Sequence, residues 1–452
     1  MELRDKKVLV YGAGKSGIGA VSLLRKVGAH PVLFDEKKTE EELRAILGDT
    51  DNASVCYGTI PASVMEALDL AVLSPGVATD LPNVNALRDQ GIPIWGEVEL
   101  AYQTSRGHVL GITGTNGKTT TTSLLGEIME NAGYHTFVVG NIGNAYTDAA
   151  LSTRDESVIV AELSSFQLET IHEFHPAVSA ILNITPDHLN RHHTMEEYIR
   201  CKELITKNQT KEDVCVLNYE DEELRAFANV CPADVFWFSS ERKIENGIYL
   251  DGNDIVVTRG GREHVLLDVT TLKLIGVHNY ENVMAAAAMA LTYGVSEESI
   301  RETCISFNPV AHRIEFSGEK NGVRWYNDSK GTNPDAAIKG IQAMKWPTLL
   351  IAGGYDKRSD YRDWIRAFEG RVKWLVLEGK TKFDIRDAAV SVGFPEEKIV
   401  ILENMTEAMD FCRDHAEPGD AVLLSPACAS WGEFPNYEVR GDKFKEYVRE
   451  KA

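Results

Sequence analysis

The stretch GITGTNGKTTTT, residues 111–122, limits the architecture of this chain more than any other. It ends an apolar run, HVLGIT, and opens a helical pattern in which Leu124, Leu125, Ile128 and Met129 share one face, with Gly133 as a C-cap. A glycine-rich turn between strand and helix aims the backbone N–H groups of residues 114–119 at one point, with the helix dipole behind them. Gly114, Thr115, Asn116 and Gly117 supply that backbone, Lys118 a mobile cation and Thr119 a hydroxyl for a magnesium ion. This is a loop for phosphates. It departs from G-x-x-x-x-G-K-[ST] by one position, because Ile112 stands where the first glycine belongs.

Around it, short apolar runs alternate with helical patterns, which argues for parallel sheets with helical crossovers. KKVLVYG, HPVLFDE and DLAVLSPGV read as strands of a first unit, closed by the polar break QTSRGH at 103–108. SVIVAE and AVSAILNIT are apolar throughout, as strands covered on both faces are. Between 214 and 269, VFWFSS, GIYLDGNDIVVTRGG and REHVLLDV read as a small antiparallel patch with glycine turns. ENVMAAAAMALTYG reads as a packed helix. WPTLLIAGG, RVKWLVLEG, KIVIL and DAVLLSP are strands of a third unit that begins near 309. Hinges are expected near 103–108 and 305–312. The expected fold is α/β in three domains, 1–106, 107–308 and 309–452. The outer two are Rossmann-like, and the central one is P-loop ATPase-like with a small antiparallel sheet.

The formal charge of −21 sets the surface against nucleic acid, so an anionic ligand needs its own basic pocket. Seven cysteines without a C-x-x-C pair read as reduced, mostly buried thiols. No apolar run is long enough to span a bilayer, and MELRDKKVLVYG lacks the layout of a secretion signal. The expectation is a cytoplasmic protein, a monomer, with small-molecule substrates.

Other loops at strand ends carry reactive groups. GAGKSG at 12–17 follows a strand and opens a helix, and Asp35 ends the next strand; either a phosphate-bearing ligand such as NAD or tight packing would explain it. Glu162 ends an apolar strand where a magnesium-binding acid would sit. NITPDHLNRHHT gathers Asp187, His188, His192 and His193, as a metal or phosphate contact or as a polar loop. AHRIEF, NDSKGTNPDA, IAGGYDKRSD and SPACASWGEFPNYEVRG are further charged or polar loops at strand ends.

The order GITGTNGKTT, AELSSFQLE, NITPDHLNRH, RCKEL, GVHNYENVMAA, AHRIE, NDSKGTN, AGGYDK and SPACASW resembles the Mur ligases of peptidoglycan synthesis, over essentially the whole chain. Within them it is most similar to the D-glutamate-adding members. The resemblance implies an ATP-dependent ligase in which UDP-N-acetylmuramoyl-L-alanine is phosphorylated on its carboxylate and D-glutamate then attacks the acyl phosphate. It implies a UDP-binding, an ATPase and an amino-acid-binding domain that close on one site.

By position, the resemblance assigns the ATP phosphates to Gly114 through Thr120, with Lys118 catalytic. It assigns two Mg²⁺ ions to Thr119, Glu162, His188 and an N-carboxylated Lys202. Asn279, Asn282, Arg313 and Asp328 complete the ATP contacts. Gly14, Lys15, Ser16, Asp35, Ser74, Gly76, Asn141, Ser164 and His188 face the UDP substrate, and Thr332, Lys357, Ser430 and Tyr437 face D-glutamate. Lys15 stands where an apolar residue is more usual in the first turn. A folylpolyglutamate synthase shares the fold, but DSKGTN, AGGYDK and SPACAS favour the Mur branch; D-N-P-R, carried by the diaminopimelate- or lysine-adding relative, is absent. A GTPase would need N-K-x-D, also absent, and an NAD oxidoreductase would leave Lys118 idle.

Overall fold

The computed structural model describes residues 2–48, 53–142, 144–355 and 359–452, leaving aside the side chain of Asn190. The chain forms two compact units: Met1–Thr271 with Glu281–Ile305, and Leu272–Tyr280 with Ser306–Ala452.

The first unit holds two sheets. Five parallel strands run in the order Ser54–Tyr57, His30–Asp35, Lys7–Tyr11, Leu70–Leu73, Ile94–Gly96. The chain winds to one side of Lys7–Tyr11 and then returns to the other, so the strand order reverses beside that strand. A reversal of this kind opens a crevice at the carboxyl ends of the strands, where ligands bind. Two of the five escape the sequence reading: Ser54–Tyr57 buries only one of its residues and so lacks an apolar run, and Ile94–Gly96 is only 3 residues long.

The second sheet has nine strands: Arg262–Asp268, Asp254–Arg259, Gly247–Asp251, Asp234–Ser239, Val214–Asn218, Val178–Ile181, His108–Thr113, Ser157–Glu162, His135–Gly140. Only the pairings of Asp254–Arg259 with its two neighbours are antiparallel. The antiparallel strands therefore extend one edge of a single mixed sheet rather than standing apart. Asp234–Ser239, read as part of the patch, pairs parallel on both sides. His108–Thr113 lies between Val178–Ile181 and Ser157–Glu162, which puts the phosphate loop over the parallel part of the sheet.

The two sheets share one apolar core, with Val10, Leu24, Leu100, Tyr146, Leu163 and Leu168 in a continuous cluster. Two buried acids in GEVEL join them. The Glu99 carboxylate accepts the backbone N–H groups of His172, Glu173 and Phe174 at 2.8–3.1 Å. Glu97 accepts from Gln167 Nε2 at 2.9 Å, but its Oε2 is buried with no partner among the described residues.

Burial therefore pushes the Glu97 carboxyl up to about 7, and the Gln167 hydrogen bond only partly offsets it. A carboxyl raised in the folded state stabilises below its unfolded pKa, and the contribution is lost as pH rises through the folded one. Glu97→Gln imitates the protonated form. The variant should melt close to wild type at pH 4.5 and progressively above it toward pH 8, a gap on the order of 3 kcal/mol. Thermal unfolding across that range reads the gap, and parallel curves would contradict the assignment.

The second unit has six strands: Glu315–Lys320, Val323–Asn327, Ala421–Leu424, Thr348–Gly354, Val372–Gly379, Ile399–Ile401. All pair parallel except the first two, a hairpin turning through Asn321 and Gly322, both at positive φ. The Asn-Gly pair was the available signal for that hairpin. All seven cysteines are free and buried. Among the described residues no helix is long and apolar enough to cross a membrane.

Candidate active site

Strand His108–Thr113 gives way to the loop at Gly114, and the helix Lys118–Asn131 starts with Gly117 as its left-handed N-cap. Gly117 has φ +85, and a Cβ there would lie 2.2 Å from Asn282 Oδ1, so only glycine fits. The loop is pinned by its neighbours. Asn183 O accepts from Thr115 N at 2.9 Å, and Asn183 Oδ1 from Asn116 N at 2.8 Å. Thr115 Oγ1 lies 3.1 Å from Tyr198 OH and accepts from Thr185 N at 3.0 Å. A loop held this way presents its N–H groups without reorganising when a phosphate arrives.

Two lysines meet at the loop. Lys118 Nζ donates to the carbonyls of Gly114 at 2.7 Å and Thr115 at 2.9 Å. Lys202 Nζ donates to the same Gly114 oxygen at 2.8 Å, from a side chain that is 1% exposed. Burial first, and the Lys118 charge second, push the Lys202 ammonium well below the usual lysine range. The setting of Lys202 thus disfavours its charged form, beside a second lysine on the same carbonyl. Tyr198 is one turn earlier on the helix Met195–Glu203 and lies 4.6 Å from Nζ, ring centroid to nitrogen. The sequence reading missed Tyr198, although its i, i+4 spacing from Lys202 was visible.

Glu162 ends the neighbouring strand, in register with Ile112. It is 2% exposed; Oε1 accepts from Asn141 Nδ2 at 3.2 Å, and Oε2 has no partner among the described residues. A buried carboxylate oxygen left without a donor is costly unless a cation meets it. The residues present therefore fit a magnesium ion, with Thr119, itself buried, on the adjoining turn. His188 starts the short helix Leu189–His192 in a left-handed conformation, φ +53, and its ring meets Phe166 edge-on at 5.0 Å.

In the five-stranded sheet, Gly14 caps the helix Lys15–Lys26, whose first turn carries Lys15 and Ser16. Gly17 approaches so closely that a Cβ would sit 1.8 Å from Gly12 O. Ser74 Oγ donates to that same carbonyl at 3.2 Å, and Asp35 Oδ2 accepts from Ala13 N at 3.1 Å. Gly12–Gly14, Asp35 and Ser74 are therefore gathered at the reversal of strand order, with Gly76 two residues beyond Ser74. Asp35 receives a loop N–H, a packing role that ligand binding there would share. Ser164 caps the turn Ser165–Leu168 and donates Oγ to Gln167 Oε1 at 2.9 Å. Asn282 accepts from Thr121 Oγ1 at 3.4 Å.

The second unit carries the remaining residues. Asn279 Nδ2 donates to Ile275 O at 2.8 Å. Asp328 is buried and accepts from Ser425 Oγ at 2.7 Å; burial lifts its carboxyl to about 7, against the Ser425 hydrogen bond and the Arg313 charge. Arg440, unsuspected from sequence, is 1% exposed and donates to Ser329 O at 2.8 Å and Cys428 O at 3.3 Å, tying NDSKGTN to SPACAS. Ser430 is buried in that second loop, and Tyr437 starts the helix Tyr437–Glu450 with Lys330 Nζ 5.4 Å from its ring. Thr332 lies partly buried just ahead of the helix Pro334–Gln342. Lys357 lies outside the described residues.

A phosphate loop over the parallel part of a sheet, flanked by a carboxylate in need of a cation, places the chain among α/β phosphate-loop enzymes. Its relatives narrow that class. The descriptions "Mur ligase MurD-like, N-terminal domain", "Mur ligase middle domain" and "Mur ligase, glutamate ligase domain" match residues 6–96, 112–290 and 312–428. The chain is 54% identical to the UDP-N-acetylmuramoylalanine–D-glutamate ligase of Lachnoclostridium phytofermentans, over 99% of both chains. It is 46% identical to the ligase of the same name from Clostridioides difficile, again over 99% of both. The chain belongs to the Mur ligase family. Its fold is also that of the UDP-N-acetylmuramate-alanine ligase of Thermotoga maritima, with TM-score 0.61 and 19% identity over 98% of this chain and 99% of that one. The MurF ligase of Thermotoga maritima in complex with ADP gives TM-score 0.60 and 18% identity, over 100% of this chain and 97% of that one.

Proposed function

We propose that this Mur ligase joins D-glutamate to UDP-N-acetylmuramoyl-L-alanine with ATP, in cytoplasmic peptidoglycan precursor synthesis. The observation that carries the reading is full-length identity of 43–54% to relatives that all bear the D-glutamate ligase name. The three expected functional regions, 1–106, 107–308 and 309–452, run parallel to the three matched descriptions.

The chemistry follows from the groups at the loop. A carboxylate is a poor electrophile, so the ligase converts it to an acyl phosphate. One carboxylate oxygen attacks the γ-phosphorus and the bond to ADP breaks. The D-glutamate amine then attacks the acyl carbon, and inorganic phosphate leaves as the amide forms. The N–H groups of Gly114 through Thr120 receive the phosphate chain, and Lys118 balances charge on the transferred phosphoryl. Thr119, Glu162, His188 and Lys202 would hold two magnesium ions, which supply neutralisation of the crowded phosphate oxygens.

Lys202 suits that role only after reaction. With its charged form disfavoured, the Lys202 amine can in its deprotonated form attack CO₂ and lose a proton, and the carbamate formed would be an anion on the same carbonyl side as Lys118. Gly14, Lys15, Ser16, Asp35, Ser74, Gly76, Asn141 and Ser164 are assigned to the nucleotide-sugar, Asn279, Asn282 and Asp328 to the nucleoside side of ATP and Arg313 to its γ-phosphate. Thr332, Lys357, Ser430 and Tyr437 are assigned to D-glutamate. The test varies the amino acid offered with ATP, magnesium and UDP-N-acetylmuramoyl-L-alanine. D-glutamate should trigger phosphate release; equal release with L-lysine, or none with any amino acid, would sink the assignment.

A further inference from the structure

The turn that follows Ser74–Gly76 is tied to the turn that carries His188, although the two are more than a hundred residues apart. Arg191 Nη2 donates to Val77 O at 3.1 Å and to Glu169 Oε2 at 2.8 Å. Thr79 Oγ1 donates to the same Glu169 oxygen at 3.2 Å. The other oxygen, Oε1, lies 3.3 Å from His192 Nδ1, and His192 Nε2 lies 2.9 Å from Ser165 Oγ. One carboxylate thus collects groups from both sheets of the first unit.

The aromatic rings carry the link onward. Phe166 has the Arg191 guanidinium 5.3 Å from its centroid, the His192 ring stacked at 5.2 Å and the His188 ring edge-on at 5.0 Å. His192 also lies 5.2 Å from Tyr198, whose hydroxyl meets Thr115 of the phosphate loop. Close-packed rings and a bridging guanidinium form a contiguous path along which a displacement can pass.

Glu169, His192 and Cys201 also offer ligand atoms within 4.8 Å of one another, which raises a metal site. The contacts argue against it. Both His192 nitrogens are engaged, and Arg191 already balances the Glu169 charge. Burial first, and the Arg191 charge next, press the His192 imidazole down to about 4, so the ring is neutral inside an ion-pair network.

We propose that Arg191 is a positioning residue that couples occupancy of the Ser74–Val77 turn by the nucleotide-sugar to the placement of His188 beside the phosphate loop. The inference rests on the ligase reading above. Glu169 and Thr79 complete the clamp, so that a bound nucleotide-sugar holds His188 ready for the phosphate end of the site.

The test measures the affinity for UDP-N-acetylmuramoyl-L-alanine by calorimetry, with and without magnesium and a non-hydrolysable ATP analogue. Wild type should bind it about fivefold or more tightly in the presence of the analogue. Arg191→Ala should bring the two affinities to within about twofold, and Arg191→Lys, which reaches one acceptor at a time, should fall between. Should Arg191→Ala fail to fold, Arg191→Lys alone decides, because a purely structural arginine would lower the melting temperature and leave the coupling intact. Coupling unchanged in the folded variants, or absent from wild type that binds and turns over, overturns the proposal. Wild type that does not bind the nucleotide-sugar at all defeats the ligase reading, and the proposal falls with it.

Discussion

Lys118→Ala should lower kcat by about 100- to 1000-fold or more, the size of losing one charge contact made chiefly in the transition state. The ammonium hangs from the first turn of the helix and folds back onto the Gly114 and Thr115 carbonyls. Those carbonyls lie within the loop proposed to receive phosphate, so a short swing would take the cation from its resting partners to the transferred group. The loss should fall on kcat more than on KM for ATP, because charge on the γ-phosphoryl is redistributed during transfer. The loop keeps its Asn183, Thr185 and Tyr198 anchors in the variant. Its melting temperature should therefore stay near that of wild type, and steady-state kinetics beside thermal unfolding separate the two effects. A near-normal kcat would remove Lys118 from the chemistry.

Lys202→Ala should abolish activity, and millimolar formate or acetate should restore part of it. The buried setting of the Lys202 amine is the reason. Lys118 and Lys202 donate to one carbonyl oxygen, and two ammonium groups there would repel, the more so because Lys202 is buried. Burial therefore favours the uncharged form of Lys202, the form that captures CO₂. Alanine would remove the proposed carbamate and leave a gap where a small carboxylate can supply the missing oxygens. Activity assays with a titration of formate measure the rescue. Full activity without rescue agent would exclude a carbamate, and inactivity at every formate concentration in a folded variant would point to packing around Tyr198 instead.

What could be read from sequence divides along physical lines. The phosphate loop was legible because its chemistry is local: the glycines, Lys118 and the flanking patterns lie within a single strand–turn–helix unit. Glu162 was legible for the same reason, as an acid at the end of an apolar strand. The joining of the antiparallel strands to the main sheet was not, since pairing between Asp234–Ser239 and Gly247–Asp251 depends on a crossover whose direction leaves no local mark. Tertiary clamps were least visible. Glu97 and Gln167, Arg191 and Val77, and Arg440 and Ser329 meet across long separations, and no one of these residues carries a local pattern that points to its partner. Buried charge of that kind is paid for only by partners that appear once the chain has folded.

The claim at the centre of this account is that the γ-phosphate passes to a substrate carboxylate before an amino acid takes its place. Phosphate release under single omissions tests it most directly. With ATP, magnesium, UDP-N-acetylmuramoyl-L-alanine and D-glutamate all present, the account predicts one phosphate and one ADP for each amide formed, and sustained release in no mixture that lacks the nucleotide-sugar. Sustained phosphate release from ATP and D-glutamate alone would contradict it.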